Sequence, residues 1–163
     1  MSIKLSKQDF AILKQLQRDN SRTSGEIAEA VHMSQAPCWR RINRMEQEGL
    51  IARKVAILDR LKLDLDMVVF ASVSMSSMGH QHMKLFEEEV QQIPEVVECY
   101  TMAGEWDYLL KIVVRDIQAY EALIRKKLLA MPLVRKLVSH IAVTEIKNTM
   151  ELPLETQLEQ ATQ

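Results

Sequence analysis

Ser34, Gln35, Ala36, Arg40, Asn43 and Arg44 are spaced to share the exposed side of one helix, while Cys38, Ile42 and Met45 fall at i, i+4 and i+7 as its buried stripe. The polar side carries recognition chemistry. An arginine suits guanine or a phosphate, and a glutamine or asparagine can read adenine. Ser34, Gln35 and Ala36 sit at the helix start, where free backbone N–H groups and the positive end of the helix dipole favour a phosphate. Arg41 flanks this face with its stem packed and its head on the backbone. Trp39 is read as a packing residue, with a base contact as the open alternative. A solvated charged helix is the plainer reading of the same pattern. Double-stranded DNA is the partner it implies otherwise.

A second constellation is Gly104-Glu105-Trp106-Asp107-Tyr108. By itself it is a turn with two acids. Its chemistry also suits a free amino acid: a carboxylate such as Asp107 meets an α-ammonium, and exposed N–H groups around Gly104 meet an α-carboxylate. Catalytic patterns are missing from the sequence: there is no nucleophile elbow, no phosphate-binding glycine loop and no HExxH. Only four glycines are present. His80-Gln81-His82 reads as a solvated loop without the closed ligand set a structural zinc needs, so no metal or cofactor is expected. Cys38 reads as a small buried hydrophobe, and Cys99 has no CxxC partner.

The elements that must position these residues follow from periodicity and caps. Ser6 and Asp9 form an S-x-x-D start for a first helix, with Phe10, Ile12, Leu13 and Leu16 at helical spacing. Ser24 is the expected cap of a second helix whose apolar face is Ile27, Ala28 and Val31. His32-Met33 makes the turn, Ser34 caps the third helix with Pro37 in its first turn, and Gly49 ends it. Leu50 to Leu58 reads as a strand or wing. Two short helices joined by a tight turn, the second with a polar outer face, describe a helix-turn-helix.

From Met67 the period changes. Val68–Ser74 reads as a strand, Ser76–His80 as a loop, and His82–Ile93 as a helix with Met83, Phe86, Val90 and Ile93 inward. Val96–Met102 and Tyr108–Val114 are strands joined by the Gly104 turn. Ile117–Met131 is a helix with Tyr120, Leu123, Ile124, Leu128 and Met131 inward, and Leu137–Thr149 is a last strand. The β-α-β-β-α-β order is a ferredoxin-like unit. The expected organisation is α+β: a three-helix, winged-type helix-turn-helix domain over residues 1–52, a linking strand or connector over 53–66, the ferredoxin-like domain over 67–150, and a polar tail over 151–163 that is frayed or a dimer-crossing arm.

Composition agrees with this division. The net charge of −1 conceals +3 over residues 1–59 and −4 over the remainder. A mildly basic part is joined to an acidic one. What matters for phosphate is local placement, and Arg40 to Lys54 holds five basic residues against two acidic. No apolar run reaches the roughly 18 residues a membrane helix needs, the N-terminus lacks the features of a signal peptide, and two distant cysteines suit a reducing cytoplasm.

Four local stretches, in order and spacing, give the chain a family resemblance: Asp9-Phe-Ala-Ile-Leu-Lys-Gln-Leu-Gln; Met33-Ser-Gln-Ala-Pro-Cys-Trp-Arg-Arg-Ile-Asn-Arg-Met-Glu with Gly49-Leu-Ile; Ala103-Gly-Glu-Trp-Asp-Tyr-Leu-Leu-Lys; and Val143-Thr-Glu-Ile-Lys. Across nearly its whole length the chain resembles the Lrp/AsnC (leucine-responsive, feast/famine) bacterial transcription regulators. The resemblance implies a helix-turn-helix reader of a pseudo-palindromic operator and a ferredoxin-like domain that senses small amino acids. It also implies dimers that assemble further, commonly into octamers, with the effector bound between dimers. On that template the effector site comprises Ala103, Gly104, Glu105, Trp106 and Asp107, the segment Ser139, His140 and Ile141 facing them across a dimer–dimer contact, and Met131, Leu133 and Val134 completing the wall. Met131, Leu133, Trp106 and Ile141 would make that wall apolar and suit an apolar or sulfur-containing side chain. The turn reads Pro132-Leu133-Val134 where the family usually has Pro-Gly-Val, so no particular effector is carried over. A nucleoid-associated protein that wraps DNA, and a small-molecule sensor or enzyme without a DNA role, are the competing readings.

Overall fold

The computed structural model describes residues 5–77 and 79–155. They form two compact units, one from the N-terminal residues to Ile57 together with the segment from Lys147 onward, the other Leu58–Ile146. No helix among the described residues is long and apolar enough to cross a membrane.

The first unit is built on α1 (Lys7–Arg18), α2 (Ser24–Ala30) and α3 (Gln35–Gln47). α1 opens with a reciprocal cap: Asp9 N–H donates to Ser6 Oγ, and Asp9 Oδ2 accepts from the Ser6 N–H at 2.8 Å. α2 is capped by Thr23, not by the expected Ser24, because Thr23-x-x-Glu26 supplies both halves of the box. Glu26 N–H donates to Thr23 Oγ1, and Glu26 Oε2 accepts from the Thr23 N–H at 2.7 Å. His32 makes the turn into α3 in the left-handed region, with φ 54°. α3 ends as expected at Gly49, φ 73°. The Leu50 N–H donates to the Met45 carbonyl and the Gly49 N–H to the Glu46 carbonyl, closing the last turn. Ile12, Ile27, Ala28, Cys38, Ile42 and Met45 form the core, with Leu13, Leu16, Val31 and Ile51 partly buried against it.

The expected strand or wing over Leu50–Leu58 has no ladder. Residues 52–59 belong to no helix or strand, and Val55, Ile57 and Leu58 are exposed. The alternation is there, but no strand among the described residues pairs with it. The tail departs from one of its two expected forms, the frayed one. Its described part is neither frayed nor free: Gln17 donates from Nε2 to the Leu152 carbonyl at 3.1 Å and accepts from the Leu152 N–H at 3.0 Å, while Arg18 pairs with Glu151 and Lys14 with Glu155. Residues 156–163, the rest of the expected tail, lie outside the described residues.

The second unit has the expected order β1 (Met67–Met75), α4 (His80–Gln91), β2 (Val96–Thr101), β3 (Tyr108–Val114), α5 (Ile117–Leu123) and β4 (Val134–Ile141). The sheet order is β2-β3-β1-β4 with every neighbour antiparallel. α5 continues into a π-helical turn at Ile124–Leu128. One sheet face packs Val69, Ala71, Val73, Tyr108, Leu110 and Ile112 against Phe86, Val90, Tyr120, Leu123 and Leu128 of the helices. Phe86 and Tyr108 meet with ring centroids 4.5 Å apart.

Several boundaries move, and the last helix, with its π-helical turn, ends at Leu128 and not at Met131. α4 starts at His80 with Gly79 as its cap, so His80 and His82 belong to the helix and not to a loop. β4 runs Val134–Ile141 and not Leu137–Thr149, because its partner β1 begins at Met67. Ile141 pairs with Val69, and the last bond, from the Ala142 N–H, reaches the Val68 carbonyl. Beyond that point alternation has no strand to pair with.

Candidate DNA interface and effector site

α3 carries the first site. Ser34 is its N-cap by backbone geometry, but its hydroxyl makes no capping bond. Pro37 brings no N–H, so the free donors of the first turn are those of Gln35 and Ala36. Ser34, Gln35, Ala36 and Arg40 are exposed, and Asn43 is half-buried. Trp39 is 54% exposed, so it does not pack into the unit's core. Pro37, Arg40, Arg41 and Arg44 line an open depression of about 310 Å³ on this face. Three guanidinium groups around one shallow hollow suit a phosphate.

The arginines are not equivalent, and two expectations are corrected here. Arg41 does not rest its head on the backbone. It donates instead from Nη1 to Asp9 Oδ1 at 2.9 Å and to Ser6 Oγ at 3.1 Å. Arg44, expected on the open reading face, is drawn to α1. Its Nη2 lies 3.0 Å from Asp9 Oδ2 and its Nε 4.0 Å from a Glu48 oxygen. Asp9 itself is 1% exposed. Burial acts to raise its pKa, but hydrogen bonds from the Ser6 backbone and side chain and from Arg41 outweigh that and lower it to about 2. One buried carboxylate on α1 therefore holds two arginines of α3. Arg40 has no acidic partner within 4.0 Å among the described residues. In sequence, Asp9 reads only as a helix cap. Nothing local signals a contact across 32 residues.

The second site is the hairpin between β2 and β3. The Met102 N–H donates to the Asp107 carbonyl at 2.9 Å, and the Asp107 N–H donates to the Val73 carbonyl at 3.0 Å. Asp107 Oδ2 accepts from the Met75 N–H at 2.7 Å. One carboxylate oxygen thus fixes the hairpin to β1. Gly104 adopts φ 143°, a conformation L side chains rarely take, with open space around it. Leu133 meets the same end of β1, its carbonyl accepting from the Ser76 N–H at 2.8 Å. Lys136 Nζ lies 4.8 Å from the centre of the Trp106 ring. Arg135, at a register shift in the β1–β4 ladder, donates to Ser74 Oγ at 2.8 Å. Neither basic residue is among those expected from sequence.

Within one chain the expected effector residues fall into two groups. Asp107 bonds Met75, which pairs with Val134, and Trp106 meets Lys136, so the hairpin and the turn of Leu133 and Val134 reach the same end of β1, with Met131 buried just before them. Ser139, His140 and Ile141 pair with Ala71, Phe70 and Val69, further along β1. Ser139 and His140 also point to opposite faces, as neighbours on a strand must. Ser139 Oγ accepts from the Tyr120 hydroxyl at 2.6 Å, on the helix side. Among the described residues no group of three or more His, Cys, Asp or Glu gathers as a metal site.

Two family models match the chain. Residues 5–52 match the winged helix-turn-helix DNA-binding model, and residues 68–152 match the Lrp/AsnC ligand binding domain. The chain is 33% identical to the DNA-binding transcriptional activator DecR of Escherichia coli K12, covering 93% of this chain and 99% of that one. It is 32% identical to the leucine-responsive regulatory protein of the same organism, covering 93% of each. An AsnC family transcriptional regulator from Agrobacterium tumefaciens superposes with a TM-score of 0.90 at 42% identity, over 94% of this chain and 100% of that one. A transcriptional regulator of Neisseria meningitidis, solved as its L-Met complex, superposes with a TM-score of 0.91 at 32% identity, over 94% and 99%. In sequence and in fold, the chain belongs to the Lrp/AsnC family of transcriptional regulators.

Proposed function

We propose that the protein is a sequence-specific DNA-binding transcriptional regulator whose operator binding or assembly responds to a small amino acid. One observation carries the DNA reading. The Asp9 carboxylate fixes α3 on α1 through Arg41 and Arg44, while the first turn of α3 and Arg40 stay open to a partner. A helix so held enters a major groove as a rigid reader, with Ser34, Gln35 and Ala36 on the phosphates or base edges and Arg40 and Asn43 along the groove. Arg41 and Arg44 contribute charge to the hollow and hold the helix in place. A dimer would set two such helices about 34 Å apart on a pseudo-palindrome. The exposed apolar residues Val55, Ile57 and Leu58 support a second copy as partner, and assembly to an octamer follows the family pattern. The effector belongs to the hairpin of residues 103–107 and the Met131–Val134 turn. Its class is supported by the L-Met complex of the Neisseria relative. The site of action is the cytoplasm, where the DNA is.

The test is a mobility-shift titration with DNA from upstream of the protein's own gene, at several salt concentrations, with and without L-methionine and the other amino acids. A specific complex altered by one amino acid is the expected result. Arg40→Ala should weaken binding to all sequences and reduce the log–log salt slope by about 1. Unchanged affinity and slope for Arg40→Ala would overturn the assigned face.

A further inference from the structure

The acidic unit Leu58–Ile146 neutralises most of its cations. Lys84 pairs with Glu88, Lys111 with Glu98, Arg115 with Asp116, Arg125 with Glu121 and Lys127 with Glu95. Arg135 and Lys136 stand out. They are consecutive, both are exposed, and neither has a carboxylate within 4.0 Å among the described residues. Each is nonetheless held in place. Arg135 is fixed by its bond to Ser74 Oγ, and Ser74 is 4% exposed. Lys136 is fixed over the Trp106 ring. The register shift between Ser74 and Met75 is a β-bulge, a device that redirects side chains at a sheet's end. Ser74 and its strand neighbour Ser72 are the buried polar residues of this unit among the described residues. Two oriented cations, one tethered to the Ser74 hydroxyl and the other over the Trp106 ring, make a subsite for an anion.

We propose that Arg135 and Lys136 bind the α-carboxylate of the amino-acid effector. This inference rests on the effector reading above and departs from its first assignment, in which backbone N–H groups near Gly104 took the carboxylate. An arginine keeps free N–H donors after giving one to Ser74, and its planar fork matches a carboxylate. Lys136 adds a point charge beside it, and Trp106 carries the site into the hairpin. The same hairpin holds Asp107, whose Oδ1 is the oxygen not taken by the Met75 N–H and receives the α-ammonium. The site thus selects zwitterionic α-amino acids over amines and amides.

The experiment is calorimetric titration of the full chain with L-methionine, the other amino acids and L-methioninamide, which lacks the carboxylate. The variants are Arg135→Gln, which keeps a donor for Ser74 but removes the charge, and Lys136→Gln. Thermal melts and sedimentation confirm fold and assembly. The expected result is binding of at least one amino acid by the wild type, at least tenfold weaker binding of that ligand by each variant at unchanged melting temperature and assembly, and loss of binding to the corresponding amide. A wild type that binds an amino acid while both variants bind it within twofold overturns the subsite and leaves the effector reading standing. Equal binding of acid and amide overturns it too, as does a change of assembly in the variants with ligand binding intact. A wild type that binds no amino acid overturns the effector reading and this subsite together.

Discussion

Replacing Asp9 by asparagine removes the charge that joins α1 to the recognition helix and leaves the side chain's size unchanged. The magnitude follows from the carboxylate's pKa, which falls from 3.8 in the unfolded chain to about 2 in the folded one. Lowering a pKa by one is worth about 1.4 kcal/mol, so the ionised carboxylate contributes on the order of 2.5 kcal/mol at neutral pH. The side chain is almost fully buried, so solvent takes little from that figure. The folded pKa is the lower one. The contribution is therefore complete above about pH 4 and is lost as the pH falls from 3.8 toward 2. Urea unfolding of the full chain, followed by Trp39 fluorescence in a Trp106→Phe background, reads the first unit alone. Asp9→Asn should lose about 2 to 3 kcal/mol at pH 7, and the gap from wild type should close between about pH 4 and about pH 2. A loss below about 0.5 kcal/mol at pH 7, or a gap that stays constant down to about pH 2, would refute the clamp.

Two further predictions concern backbone and packing. His32→Gly should stabilise the first unit by about 1 kcal/mol, because His32 holds φ 54° in the turn between α2 and α3, where glycine pays no Cβ penalty; an unchanged or lower urea midpoint would count against strain there. Tyr120→Phe should cost about 1 kcal/mol in unfolding of the second unit, because it removes the 2.6 Å bond to Ser139; a neutral variant would show that water replaces that bond at no cost.

What the sequence made legible was local. The Ser6–Asp9 box, the Gly49 stop, the buried stripe of α3 and the inward faces of α4 and α5 each depend on neighbours within a few residues, and the structure has them where the spacing put them. The Thr23-x-x-Glu26 box is equally local, but Ser24 beside it competes as a cap on residue type alone. Strand lengths were different. The alternation past Ile141 and through Leu50–Leu58 continues in the side chains, but a strand needs a partner: β1 begins too late to pair beyond Ile141, and no strand among the described residues pairs with Leu50–Leu58. The site was half legible. Residue types on α3 named the face, yet which arginines read and which ones hold depended on Asp9, a helix away. Arg135 and Lys136 carried no motif. Only the bulge and the Trp106 contact single them out.

The tail contacts of α1 bear on the order of synthesis. The Gln17 amide clasps the backbone of Leu152, a residue 135 positions later in the chain. At about 5 to 20 residues per second, the ribosome delivers that partner roughly 7 to 27 s after Gln17 itself. The three helices of the first unit are made long before the segment that braces α1, and the whole second unit is translated in between. A nascent chain thus holds a helix-turn-helix that lacks its brace until the whole second unit has been made.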